Sequence, residues 1–123
     1  MKYVTDRTRA VGTGSGREGS HHHWQMIVSS IALVAIVPVF VITFMLGFGQ
    51  AYIDVVAFFS RPVPAILTAL SLVIVIRHVM HEALEAVEDY VHGTTGKLTQ
   101  VAVTGLSYGL IAVGLFALAK LAF

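Results

Sequence analysis

Three long apolar runs leave this chain little choice of fold. Met26 to Gly49 carries no charge over 24 residues, and Leu98 to Ala119 none over 22. Between them Val63 to Ile76 is apolar and passes into Arg77-His78-Val79-Met80-His81-Glu82-Ala83-Leu84-Glu85-Ala86-Val87-Glu88-Asp89-Tyr90-Val91-His92 with no Gly or Pro to stop a helix. At a rise of about 1.5 Å per residue, about 20 residues cross the roughly 30 Å hydrocarbon core. The predicted fold class is an all-α membrane protein of three transmembrane helices, at about 25–49, 62–92 and 98–122. Residues 24–123 then form the membrane domain and residues 1–23 an arm ahead of it.

Only 12% of the 123 residues are charged, about half the fraction usual in a soluble domain. No length remains for a separate soluble unit. Cysteine is absent, so the chain holds no disulfide and ligates no iron–sulfur cluster through thiolates. A net charge of +1 with no basic stripe gives nucleic acid nothing to bind.

The arm is polar and rich in glycine (Gly12, Gly14, Gly16, Gly19) and lacks the apolar core and cleavage site of a signal peptide. It reads as extended, with little regular structure. Its glycines follow no strand and precede no Lys-Ser/Thr pair, so a phosphate loop is not expected. His21, His22 and His23 precede Trp24 at the mouth of the first run, where an aromatic suits the headgroup boundary. Successive helical residues point about 100° apart, so these three imidazoles do not converge on one ion. Ser29 and Ser30 either bond back onto the preceding turn or contact a headgroup or quinone. Gly105 and Gly109, with Gly114 beyond, suit close helix approach.

Charge bias gives the orientation. Lys2, Arg7, Arg9, Arg17 and Lys97 fall on one side of a three-span chain, and only Arg61 and Lys120 on the other. The positive-inside rule then puts the N-terminus and the Gly93–Lys97 turn in the cytoplasm and the C-terminus in the periplasm.

The chemistry concentrates at the end of the second span. His78, Glu82, Glu85 and Asp89 are spaced 4, 3 and 4 apart and share a helical face. His81, Glu85, Glu88 and His92 form an adjacent stripe. Acids at a helix C-terminus oppose its dipole, at a cost of a few tenths of a kcal/mol each, so propensity does not explain them. They are either solvated and met by neighbouring basic groups, or they face a partner. Ionisable residues at membrane depth are functional candidates. A lone deep histidine suits a haem axial ligand completed by another subunit, or a hydrogen bond within the bundle.

His78 followed after eleven residues by Asp89-Tyr90-Val91 resembles the second membrane helix of the succinate dehydrogenase hydrophobic membrane anchor family. Glu88-Asp89-Tyr90-Val91-His92-Gly93 is similar to its alphaproteobacterial and mitochondrial branch. Three spans, the Gly-x-Gly-Ser-Gly arm and His22-His23-Trp24-Gln25-Met26 extend the resemblance over nearly the whole chain. The resemblance implies respiratory complex II in the bacterial inner membrane. Its partners would be a flavoprotein with FAD, a subunit with iron–sulfur clusters, and a cytochrome b subunit sharing haem b. His78 is then an axial ligand of the haem iron, and Tyr90 with Asp89 binds ubiquinone. Two positions depart from the family pattern: Glu82 stands where a glycine is common, and Met26-Ile27-Val28-Ser29-Ser30 lacks an arginine many members carry. His22, His23, Ser29, Ser30 and Arg77 are the candidates for contacts to haem propionates or headgroups.

Two other readings stay open. The chain is the anchor of a fumarate reductase running the reverse reaction, or a small proton-coupled transporter with Arg77, His78, His81 and Glu82 as its relay.

Overall fold

The computed structural model describes residues 3–12, 14 and 18–123, and every regular element among them is a helix. They are α1 (Asp6–Val11), α2 (Glu18–Gly47), α3 (Tyr52–Phe59), α4 (Pro62–Tyr90) and α5 (Gly93–Ala122). Lys2, Gly16 and Arg17, which enter the expectations for the arm, lie outside the described residues. Three helices are long and apolar enough to cross a membrane: Gly19–Gly47, Pro62–Tyr90 and Gly93–Ala122. At 29 or 30 residues each is about 44 Å long, so its ends project past the hydrocarbon.

The boundaries differ from those predicted. The arm holds a short helix, α1, capped by Thr5, whose hydroxyl accepts from the Thr8 N–H at 3.2 Å. Helix α2 begins at Glu18, seven residues before the expected 25, and takes in the histidine run. Gln25 donates to His21 at 3.0 Å across one turn, and no proline interrupts that stretch. Pro38 sits inside α2 and does not end it, as membrane helices allow.

The connector after α2 is itself partly helical. Phe59 of α3 is buried, and its ring lies 6.2 Å from that of Phe44 and 5.2 Å from that of Phe58. Gly47 makes this return possible, because a side chain there would strike the rings of Phe58 and Phe59. Packing these rings, Phe59 buried and Phe58 half-buried, orders a segment that its short length alone would not.

Helix α4 opens with Pro62 and Pro64 in its first turn, where a missing N–H costs nothing. It runs unbroken to Tyr90, with Val91 as its extended C-cap. The chain then reverses through Gly93 at φ 72°, and α5 starts there rather than at residue 98. Gly96 belongs to this tight return: a side chain would meet the Val91 carbonyl.

Helix α4 is the central element. It packs against both α2 and α5, while those two do not touch each other. Gly114 lets α5 close onto Leu72 of α4. Gly105 and Gly109, by contrast, face open space in this chain. Few side chains are buried, chiefly Phe59, Met80 and Ile111 with Thr43 and Ser71. Most of the apolar surface is left to lipid or to partner subunits.

Candidate functional site

The polar start of α2 lies beside the polar end of α4, and the candidate residues gather where they meet. A cavity of about 330 Å³ is lined by Trp24, Gln25, Val28, Ser29, Ala32, Ile74, Arg77, His78 and His81. Its wall is apolar from Val28, Ala32 and Ile74, with an indole at one edge and imidazole and guanidinium groups at another.

His78 is fixed from two directions. Its Nδ1 lies 2.9 Å from the Ser29 hydroxyl on α2, and its Nε2 lies 3.0 Å from Glu82 Oε1, one turn along α4. The imidazole is 11% exposed and the Glu82 side chain 63%. The ring is held in place, while the carboxylate can leave by rotating into open space. So the hydrogen bond within the bundle, one of the two readings of this histidine, is formed by Ser29 on α2, and Glu82 occupies the Nε2 side from within α4.

Ser29 and Ser30 both bond back to the Met26 carbonyl, at 3.0 and 2.8 Å. Both hydroxyls therefore bond back onto the preceding turn, and Ser29 differs in also meeting His78. His22 reaches across to Glu85 at 2.8 Å and sets its ring edge-on to His81, with centroids 5.7 Å apart. His21 turns to Gln25 instead. The adjacent histidines thus point to different partners. His23 and Arg77 are exposed, Arg77 at the cavity wall.

Two of the four acids that oppose the α4 dipole are therefore met by histidines of the same chain, Glu82 by His78 and Glu85 by His22. Glu88 and Asp89 are exposed. Tyr90 closes α4 with 84% of its surface exposed. Among the described residues no side-chain hydrogen bond reaches Asp89 or Tyr90. These two stand about 17 Å along the helix from His78, so the structure does not bring them to the same cavity. A pocket around them needs surfaces from outside this chain.

The contacts between helices were not readable in the sequence. Ser29 and Glu85 carry no motif, and the only available signal was the placement of a hydroxyl and a carboxylate near span ends on different helices.

The donor set suits a largely apolar prosthetic group with nitrogen ligation. A mostly covered imidazole stands in a largely apolar wall that also carries a guanidinium suited to a carboxylate. These features define the class: a small polytopic membrane protein with its ionisable residues gathered where two helix ends meet. The sequence model of the succinate dehydrogenase/fumarate reductase transmembrane subunit family matches residues 1–119, and the chain belongs to that family. It is 35% identical to the succinate dehydrogenase hydrophobic membrane anchor subunit of Paracoccus denitrificans, over 98% of this chain and 94% of that one. No solved structure matches the chain. The protein is thus a multi-pass subunit of the bacterial inner membrane and part of an oxidoreductase complex.

Proposed function

We propose that this chain is the membrane anchor of succinate:ubiquinone oxidoreductase, tethering the flavoprotein and iron–sulfur subunits beside a cytochrome b subunit. His78 would hold the iron of haem b through its imidazole, with a second ligand supplied by the cytochrome b subunit. When bound, the haem supplies a one-electron redox centre. His78 offers Nε2 once Glu82 rotates aside, and the exposed Glu82 carboxylate has room to do so. Arg77, in the cavity wall, is the nearest partner for the propionates, with His22 and His23 further out, while the Ser30 hydroxyl is taken up by the Met26 carbonyl.

Tyr90 and Asp89 form part of the ubiquinone site at the cytoplasmic end of α4. A phenol is neutral at working pH and donates to a carbonyl oxygen that gains charge on reduction. Asp89 orders that pocket and stands where protons enter. The N-terminus is cytoplasmic and the C-terminus periplasmic, by the excess of Lys and Arg beside Gly93–Lys97 and in the arm.

One observation carries this reading: a single unbroken helix, α4, bears a held imidazole in a cavity wall and an uncovered Asp-Tyr pair at its last turn. A proton relay along Arg77, His78, His81 and Glu82 has less support, because the family and the relative that the chain matches are membrane subunits of succinate dehydrogenase. The test is the material purified from membranes. Three larger partners, flavin and a reduced-minus-oxidised b-haem spectrum support the anchor. A lone 13.2 kDa chain in a homo-oligomer supports the transporter.

A further inference from the structure

We infer that Ser29 is the positioning residue of His78: its hydroxyl accepts the Nδ1–H of the imidazole and so leaves Nε2 as the nitrogen offered to iron. This rests on the proposal that His78 is a ligand, and it assigns the residue that orients it.

Two hydrogen bonds define the role. The Ser29 Oγ lies 3.0 Å from the Met26 carbonyl and 2.9 Å from His78 Nδ1. A hydroxyl carries one proton and two lone pairs, and a carbonyl only accepts. The proton therefore points at Met26, and the face turned to Nδ1 is an acceptor. With Glu82 in place its carboxylate takes an N–H from Nε2; once Glu82 rotates aside and that proton leaves, a ring that keeps its N–H on Nδ1 has its Nε2 lone pair for a metal. Ligating histidines usually donate their second N–H to an oxygen, which fixes the ring plane and raises the ligand's basicity. Ser29 lies on α2 and His78 on α4, so the contact also sets the ring against the helix packing rather than on one flexible side chain.

Ser30 provides a control within the same turn. It bonds the same Met26 carbonyl at 2.8 Å, and among the described residues no hydrogen bond joins it to His78.

The experiment uses the whole complex purified from membranes carrying Ser29→Ala, Ser29→Thr or Ser30→Ala. Three properties are read: the reduced-minus-oxidised spectrum, the low-field EPR signal of the oxidised haem, and its midpoint potential. Removing the acceptor makes the imidazole a weaker donor to ferric iron. Ser29→Ala should keep low-spin haem, raise the midpoint potential and move the low-field g value. Ser29→Thr, which retains a hydroxyl, should return toward wild type, and Ser30→Ala should match wild type throughout. Wild-type potential and EPR signal in Ser29→Ala would overturn the inference while leaving His78 as ligand. An equal shift in Ser30→Ala would overturn it too. If Ser29→Ala loses low-spin haem, recovery in Ser29→Thr supports the role, and failure to recover contradicts it. Low-spin haem persisting in His78→Ala would instead sink the ligand assignment on which the inference rests.

Discussion

His22 on α2 and Glu85 on α4 meet at 2.8 Å although 63 residues separate them in the chain. The pair ties the polar start of one span to the polar end of the next, and His81 stacks edge-on against the same imidazole. Both side chains are about half exposed, at 46% and 50%. Pairs of that kind contribute on the order of 0–1 kcal/mol. The contact therefore adds little to the stability of the bundle.

Replacing His21, His22 and His23 together with Gln should leave the b-haem spectrum of the complex unchanged and its thermal midpoint close to wild type. The three rings have separate partners or none, and the nearest cavity ligand is His78. A loss of haem on this replacement would show that the ligand has been misassigned. A changed midpoint potential with haem retained would mark His22 or His23 as a propionate contact.

His78→Ala should abolish six-coordinate low-spin haem and leave part of the succinate–quinone activity, since electrons can pass from an iron–sulfur cluster to a nearby quinone directly. The informative readout is the spectrum of the assembled complex, with subunit stoichiometry checked on the same sample. An unaltered low-spin spectrum would exclude His78 as a ligand.

The glycines of α5 make separable predictions. Leu72 fills the space a side chain at Gly114 would need, so Gly114→Leu should overpack the α4–α5 contact by about 1–3 kcal/mol and lower the thermal midpoint in detergent. Gly105→Ala meets nothing within this chain. It should leave the chain's own packing intact, and any fall in assembly yield would locate a partner helix on that face. Equal effects at the two positions would contradict the packing described.

Among the described residues the buried Thr68 hydroxyl finds no hydrogen-bond partner, and it lines an apolar cavity of about 190 Å³ with Phe40, Ser71, Leu72, Val75 and Ile76. An unsatisfied buried group costs about 1–3 kcal/mol. Thr68→Val keeps the shape and removes the orphan, so the complex should melt at a higher temperature. A lower melting temperature would mean that the hydroxyl has a partner in the assembly.

Much of this architecture was legible from residues 26–119. Uninterrupted apolar length located the three spans, and the absence of Gly and Pro from Ala65 to His92 predicted that α4 would be one helix. The helix ends were less legible. The polar turn from Glu18 to Trp24 and the Thr94–Gly96 stretch read as loop by composition, yet both are helical, because polar residues at a span end lie beyond the hydrocarbon. Helix α3 was missed because eight residues between turns, seven apolar and one acidic, are ambiguous until Phe58 and Phe59 find Gly47. The pairs Ser29–His78 and His22–Glu85 depend on the rotation of α2 against α4. Spacing along one helix carries no information about that angle.

Tyr90 is where the functional reading is most exposed to test. Tyr90→Phe keeps the ring and removes the hydroxyl, so flavin, haem and subunit content should stay at wild-type levels. A donor to a carbonyl that gains charge contributes more to the transition state than to binding, so quinone turnover should fall by more than apparent affinity. Loss of one such donor typically costs about 10²–10³-fold, and the lower end is expected where partner subunits supply other donors. The decisive measurement compares succinate oxidation with ubiquinone and with an artificial acceptor that bypasses the quinone site, on the same assembled Tyr90→Phe complex. A loss of roughly 10²-fold with ubiquinone alone is the predicted result. Wild-type rates with both acceptors would contradict the assignment of the quinone site to the end of α4.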